Sequence, residues 1–522
     1  MNDPTTYDVA IVGYGPVGAS AANLLGQSGL DVVVIERDPD IYFRARAISV
    51  DEEVLRIWQQ VGLADRLNAD MQPGSGADFV GVDGRTFATL LPTDRGNGHP
   101  PQQFIYQPAV DQVLREGVDR FPNVTVLLQH ECLRVIQHAD DVELMLADLT
   151  EDAFTRVRAR YVIAADGGSS ALRGQLGIGF VGRTYAERWI VIDTRVRQAW
   201  PGHDRLRFHC NPTRPTVDCP TPLGHHRWEF PVRDQEDDEQ FLTDDAVWKV
   251  LRRQGVTEDN VDIIGYACYS HHVRFAERWR AGRVFLAGDA AHAMPPWIGQ
   301  GMCAGIRDVA NLCWKLDAVL QGGLPATVLE TYQAERLPHV TEVTRRAVKV
   351  GRLIVERNRW RARIRDHAFR TALRLPRFTA WLRDHRWLPD ARYRSELLAH
   401  NGNDATGWLL PQPWVTDGNG ERVRLDDVIG RGWAILHTGP DQPWQSWRAA
   451  GVPVIAIAPP GSAPSPGGVV DTDDALIRWM QSKKASVVAV RPDGFVYAAG
   501  GRHPLPAPPA GFTATPRVRQ PA

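Results

Sequence analysis

The chain has 522 residues, too many for one hydrophobic core, so about two or three domains are expected. With 43% hydrophobic and 23% charged residues and a net charge of -2, its composition is globular, and no charge excess points to nucleic acid or a membrane surface. The six cysteines (Cys132, Cys210, Cys219, Cys268, Cys303, Cys313) form no CxxC and no zinc-type pairing, so no metal site or redox dithiol is expected and free thiols in a reducing, cytoplasmic setting are.

The opening MNDPTTYD is short and polar, unlike a secretory leader, and no apolar run approaches the ~20 residues of a membrane helix. Residues 7–36 read as strand, small-residue helix and strand (YDVAIVG, GPVGASAANLLGQSG, DVVVIE), a βαβ unit. Ser49 with Glu52 three residues later predicts a capping box for a helix to about Gln60. AVDQVLREGVDRF (109–121) predicts a further helix, and VTVLLQ, LRVIQH and VELMLA predict antiparallel strands before the buried strand RYVIAAD (160–166). From about 185 to 275, strand-like pieces (WIVIDTRV, RLRFHC, RWEFPV, DIIGYACYS) alternate with proline-rich loops, which predicts a second, sheet-based lobe over a pocket.

VFLAG (284–288) returns to the parallel-strand pattern, and a helix is expected from Met302 to about Leu320. A long helical region is expected from Thr327 to about Arg394. Its stretch 345–394 holds 16 Lys or Arg against 4 Asp or Glu, read as a solvated basic face. Beyond residue 400, WAILHTG, VPVIAIAP and ASVVAVRPDGFVYA with helices near 444–450 and 473–482 predict a small α/β domain. The proline-rich tail from about Gly501 is expected to be flexible.

GYGPVG places Gly13, Gly15 and Gly18 in GxGxxG spacing between a strand and a helix, where glycines permit a tight turn, close backbone approach to a pyrophosphate and close helix packing. Glu36 ends the next strand, where a carboxylate accepts bonds from ribose hydroxyls. The fingerprint alone leaves NAD and FAD both open, since each carries an ADP half. DGGSSALR (Asp166 to Arg173) follows the strand RYVIAAD, with a plain Asp-Gly turn as the competing reading. In GDAAHAMPPWIGQGM, Asp289 is placed to bond polyol hydroxyls, while Gly299, Gln300, Gly301 and Met302 open a helix whose free N–H groups face an electron-rich acceptor. Sites so far apart in sequence suit an extended ligand such as FAD.

These three motifs, in this order, resemble those of the FAD-dependent aromatic hydroxylases, the para-hydroxybenzoate hydroxylase-like flavoprotein monooxygenases, and the resemblance spans about residues 5–400. LETYQAERLPH (329–339) is similar to that family's late helix. RAISVDEEVLRIWQQVGL, FIYQPAVDQVL, FHCNPTRPTV and IGQGMCAGIRDVANLCWKL resemble the 3-(3-hydroxyphenyl)propionate hydroxylases within it. The resemblance implies an α/β fold: a Rossmann-like FAD-binding domain with an inserted β-sheet substrate domain, a helical connector and a thioredoxin-like C-terminal domain. The expected division is 1–185 and 276–400 for the two parts of the FAD-binding domain and connector, 186–275 for the substrate lobe, 401–500 for the C-terminal domain and 501–522 for the tail. With no cysteine after Cys313, thioredoxin chemistry is excluded there, leaving packing or dimerisation, a homodimer included.

For the site, the resemblance implies that Glu36 binds the adenosine ribose with Arg37 beside the adenine. Arg44 or Arg46 approaches the pyrophosphate, and Gln107 the ribityl chain. Asp166 touches FAD and is linked to binding of NADH or NADPH, Asp289 binds the ribityl chain, and Pro296 lies beside the reactive edge of the flavin. It implies ortho-hydroxylation of a small phenol by NAD(P)H and O2 through a C4a-hydroperoxyflavin, giving a catechol, with 3-(3-hydroxyphenyl)propionate or 3-hydroxycinnamate as the substrate class. For substrate activation, His271, His272, Tyr266 and Tyr269 share one segment, and His271 and Tyr266 are the candidates, although adjacent His271 and His272 face opposite sides of a strand. Arg214 is the candidate for a substrate carboxylate, by bidentate pairing, against a plain surface arginine. Trp297 is a candidate pocket wall, and His292 either orients its loop or moves a proton. Cys303 stands where that family often has Asn, which leaves its contact with flavin open. Hydroxylation of a larger polyketide-type aromatic, a non-hydroxylating flavin oxidoreductase and a non-enzymatic flavoprotein are the alternatives; no WxWxIP stretch of the flavin halogenases is present.

Overall fold

The computed structural model describes residues 5–42, 46–233, 236, 243–384, 387–399, 401–440, 444–501 and 503–513. Arg44, one candidate for the pyrophosphate, lies outside them.

Five strands form a parallel run in the order Val284–Leu286, Ala153–Ala164, Thr6–Val12, Val32–Ile35 and Val124–Leu127. Their near-continuous Val, Ile and Ala content follows from burial on both faces, and Val9, Ala10, Ile11 and Val32 to Val34 are fully enclosed. The helices Pro16–Gln27 and Gly301–Leu320 pack on each other against this sheet. VTVLLQ therefore continues the parallel sheet. The antiparallel expectation holds only for His130–Gln137 and Val142–Asp148, which extend it from Ala153–Ala164. Asp51 caps the helix Glu52–Gln60 through its carboxylate, at 3.2 Å from the Val54 N–H, and Ser49 belongs to a strand. The capping box expected from Ser49 is thus replaced by a one-residue cap.

The second sheet runs His292–Ala293, Val261–Ala276, Phe180–Val196, His225–Pro231, Thr216–Thr221, Leu206–His209, Ala77–Val80, Thr86–Leu90. It departs from the expected 186–275 lobe by recruiting two strands from the first segment and by starting at Phe180. The parallel pairing of Ala77–Val80 with Leu206–His209 joins residues that no local pattern relates. The helical region is three helices, Thr331–Ile354, Arg359–Ala372 and Pro376–Arg383, and it ends before Arg394.

The C-terminal sheet has parallel pairs among Ala434–His437, Val454–Ala458 and Val469–Val470, with Ala485–Val490 and Val496–Gly501 antiparallel at one side. The tail expected to be flexible is packed as far as Thr513. Phe512 lies 5.2 Å from the Trp433 ring, the Trp447 indole donates to Pro506 O at 2.8 Å, and Thr513 N–H donates to Gly323 O at 3.1 Å. Prolines without N–H donors leave their carbonyls to accept these bonds. Among the described residues, no helix is long and apolar enough to cross a membrane, and no group of three His, Cys, Asp or Glu is placed to hold a metal.

Candidate active site

All four motif positions follow the carboxyl ends of parallel strands, where open α/β sheets form their binding crevice: Gly13 after Val12, Glu36 after Ile35, Asp166 after Ala164 and Gly288 after Leu286. Gly13 has φ +101°, and a Cβ there would lie 2.4 Å from Ala165 O; one at Gly18 would lie 1.9 Å from Gly13 O. Packing thus demands those two glycines. At Gly15 a Cβ meets nothing within 4 Å, because that position opens into the cleft, beside a helix N-terminus with no side-chain cap. Glu36 accepts the Tyr14 N–H at 2.7 Å and the Asp38 N–H at 3.0 Å, so its carboxylate is fixed on the rim of the glycine turn. Arg37 is exposed, with Asp38 at 3.9 Å.

The Gln107 carbonyl oxygen accepts the backbone N–H groups of Arg46 and Ala47, each at 2.8 Å. Its amide lies 3.4 Å from Asp111, and both Gln107 and Arg46 line the cleft. Gln107 thereby holds the Arg46 segment in place. Asp166 accepts the Leu172 N–H at 3.1 Å through one oxygen; the other is buried without a partner among the described residues. Arg173, in the same motif, donates to Ala290 O at 3.0 Å and to Gly168 O at 2.9 Å, tying the second motif to the third.

In the third motif Gly288 has φ +59° and begins a 3-10 turn that points Asp289 into the cleft. Asp289 is exposed at the cleft. Desolvation by the surrounding protein raises its pKa, against the pull of His292 and Arg46. Behind the turn, Asp308 accepts from Gly288 N–H (3.1 Å), His292 Nε2 (2.6 Å) and Arg336 Nε (2.8 Å). Burial opposes ionisation of Asp308, but His292 and Arg336 outweigh it and hold its pKa below the usual range. His292 is fully buried in this network, bound to Asp308 behind the turn.

Pro296 is exposed to the cleft, Gly299 turns the chain with φ +64°, and Gly301–Leu320 starts without a side-chain cap, so the Gly301 and Met302 N–H groups face the cavity. The Gln300 side-chain amide is bound to Asp51 (3.1 Å) and Arg307 (3.2 Å), and its backbone carbonyl accepts the Ala304 N–H at 2.9 Å. Cys303 is turned away: it is fully buried, its Sγ 3.9 Å from both Ser49 O and Gly299 O.

The cleft continues into a cavity walled by Phe79, Phe208, Val217, Glu229, Trp297 and Val350, and cleft and cavity together enclose about 610 Å³. Phe79 and Phe208 stack at 5.1 Å, and Trp297 meets Trp189 edge-on at 4.9 Å. Three expectations about this wall are corrected. Tyr266, five residues from His271 on the same strand, points to the opposite face, where its hydroxyl donates to Asp244 at 3.1 Å. Arg214 pairs with Glu236 and donates to Pro231 O at 3.4 Å, outside the cavity lining. His271 supports the wall from behind, stacked on Trp189 at 5.6 Å and against Trp297 at 5.2 Å, its pKa pushed down to about 4 by burial and by His272. The residues missed from sequence are Trp189 and Glu229. The alternation in RWEFPV, which sends Trp228 and Phe230 one way and Glu229 the other, is the signal that could have found the carboxylate.

Residues 6–347 match the family model described as FAD binding domain, and residues 407–514 match that described as HcaD C-terminal domain. The chain belongs to the FAD-binding monooxygenase family. It is 36% identical over 507 residues to a 3-(3-hydroxy-phenyl)propionate/3-hydroxycinnamic acid hydroxylase from Escherichia coli, covering 94% of this chain and 91% of that protein. Among solved structures, its fold is similar to the flavin-dependent monooxygenase PieE in complex with FAD and substrate (TM-score 0.81, 24% identity, covering 95% of this chain and 96% of that one). It is also similar to aklavinone-11 hydroxylase with FAD and aklavinone (TM-score 0.79, 24% identity, covering 97% of each).

Proposed function

We propose that this protein hydroxylates a small phenol next to its hydroxyl group, using FAD, NADH or NADPH, and O2, and that its substrate is 3-(3-hydroxyphenyl)propionate, 3-hydroxycinnamate or a close analogue. The observation that carries the reading is the continuity of a glycine-lined cleft, open at Gly15 and Asp289, with an aromatic cavity large enough for a single ring. The E. coli relative's similarity over 94% of the chain supports the substrate class.

The residues fit FAD. The turn from Gly13 to Gly18 with Glu36 would take its ADP half, Asp289 its ribityl hydroxyls, and the N–H groups of Gly301 and Met302 its electron-rich ring end. Bound there, FAD supplies the redox chemistry, taking electrons from the nicotinamide nucleotide and activating oxygen. The chain's part is to hold the phenol against Pro296 and Trp297, to keep water out with Phe79, Phe208 and Val350, and to take up the phenolic proton. Arg95, which lines the cavity and donates to Pro389 O at 3.2 Å, replaces Arg214 as the candidate for an acidic side chain. The sheet order of the C-terminal domain supports a thioredoxin-like fold that serves packing, and the six free thiols suit a cytoplasmic enzyme.

Purified protein should be yellow. It should oxidise NAD(P)H faster with 3-(3-hydroxyphenyl)propionate and release a catechol, and faster with this acid than with its methyl ester. Protein without flavin would sink the reading; rapid NAD(P)H oxidation with no catechol from any phenol would leave a non-hydroxylating flavin enzyme.

A further inference from the structure

The sheet face that roofs the cavity carries a carboxylate, Glu229, that lines the cavity and that the cofactor site does not use. Glu229 sits on His225–Pro231, in register with Val191 on one neighbouring strand and Val217 on the other. Alternation sends Trp228 and Phe230 into the apolar cluster on the far face and leaves Glu229 on the cavity side, only 8% exposed. Its carboxylate makes no hydrogen bond among the described residues.

The charged and titratable groups facing it are Arg227 on its own strand, Asp193 on the next and the Cys219 thiol on the other side. Arg227 is already engaged, donating to Asp193 at 2.8 and 3.0 Å and to Arg46 O at 3.1 Å, so it does not fork onto Glu229. Burial raises the Glu229 pKa, with Arg227 pulling it down and Asp193 pushing it up. A buried carboxylate with no donor is unfavourable as packing, and a leucine would fill the same wall better. What completes it is a donor brought into the cavity.

We propose that Glu229 accepts the phenolic proton of the substrate. The inference rests on the hydroxylase reading. The phenol O–H bond breaks, an O–H bond forms on the Glu229 carboxylate, and the electron pair left on oxygen delocalises to the ortho carbon, making it the nucleophile; the proton then passes to water in the cleft. A carboxylate on the cavity face whose pKa burial raises is better placed for this transfer than His271, whose pKa is pushed down to about 4 and whose ring faces Trp189 and Trp297. A negative wall also repels an acidic side chain, so the ring enters with its hydroxyl toward this strand.

The test is Glu229→Gln as the flavin-loaded protein, with Glu229→Asp as the rescue variant. Glu229→Gln should retain FAD and bind 3-(3-hydroxyphenyl)propionate, yet form catechol about a hundredfold more slowly. Its rate should rise toward alkaline pH, and a ring-fluorinated, more acidic phenol should restore much of it. The ultraviolet difference spectrum of bound phenol should show phenolate in the wild type and neutral phenol in Glu229→Gln. Glu229→Asp should recover part of the rate. If Glu229→Gln does not load FAD, the wild-type spectrum decides alone: neutral phenol throughout pH 6–9 overturns the proposal. A Glu229→Gln rate and pH profile matching the wild type also overturn it. A wild type that gives no catechol from any phenol removes the hydroxylase reading and this inference together.

Discussion

In the proposed function, Asp289 is the side chain that holds the cofactor's ribityl hydroxyls. Its carboxylate is aimed into the cleft by a turn that the Asp308 network holds rigid, so removing it should leave the loop intact and delete only the acceptor. Hydrogen bonds to a charged group are worth about 1.5–3 kcal/mol, so Asp289→Ala should raise the FAD dissociation constant by about ten- to a hundredfold, measured by flavin fluorescence on dialysis. Retention equal to the wild type would remove Asp289 from the site. His271 carries a different prediction. Its folded pKa, about 4, lies below the ordinary 6.5, so the unfolded chain takes its proton first as pH falls. The stability it contributes is present above pH 6.5 and lost as pH falls toward 4. His99, pushed down to about 3 by burial and nearby arginines, adds to the same loss. His271→Phe keeps a ring between the two tryptophans and should make the fall of Tm between pH 6.5 and 4 shallower; an unchanged slope would show that the imidazole is not held neutral.

Among the elements, the helix Thr331–Ile354 fixes the cavity wall by what it lacks. A Cβ on Gly351 would lie 2.3 Å from Trp297 Nε1, so the indole occupies the space of the missing side chain. Gly351→Ala must push Trp297 off that helix or distort the helix itself, a strain of about 1–3 kcal/mol. The expected result is a higher KM for the phenol and more NAD(P)H oxidised per catechol, with FAD content unchanged, read by steady-state kinetics and product assay. Wild-type KM and coupling would remove Trp297 from the wall. This contact was illegible in the sequence, because Gly351 lies in an ordinary helical pattern and its partner is 54 residues away. The glycines of the first motif were legible because strand, turn and helix are neighbours in the chain, and the need for no Cβ is local. The wall was not: its strands come from residues 77–90 and 180–276, and pairings over such distances leave no periodic trace. The chemistry of Tyr266 and Arg214 suits the wall, but strand alternation and a nearby glutamate send them elsewhere.

In the whole molecule, the C-terminal domain is joined to the cofactor-binding body through a buried ionic cluster. Arg491, with no exposed side-chain surface, reaches across to Glu335 at 2.6 and 3.0 Å while also holding Asp493. Glu335 in turn receives Lys315 at 2.8 Å, and burial draws the lysine pKa down to about 8 even against that attraction. Lys315 lies on Gly301–Leu320, the helix whose first turn faces the cavity, and Glu335 lies on the helix that carries Gly351. The domain boundary near residue 400 could be read from composition, but charges paired across 156 residues could not. Such a cluster makes the domains unfold together, because opening either one strands a charge in an apolar setting. Arg491→Met should therefore lower stability by about 3–5 kcal/mol and split one calorimetric transition into two. Adding Glu335→Gln should recover part of the loss, since the stranded carboxylate goes with it. A single transition at the wild-type Tm for Arg491→Met would mean that the C-terminal domain is held by its apolar contacts and that the cluster contributes nothing to their coupling.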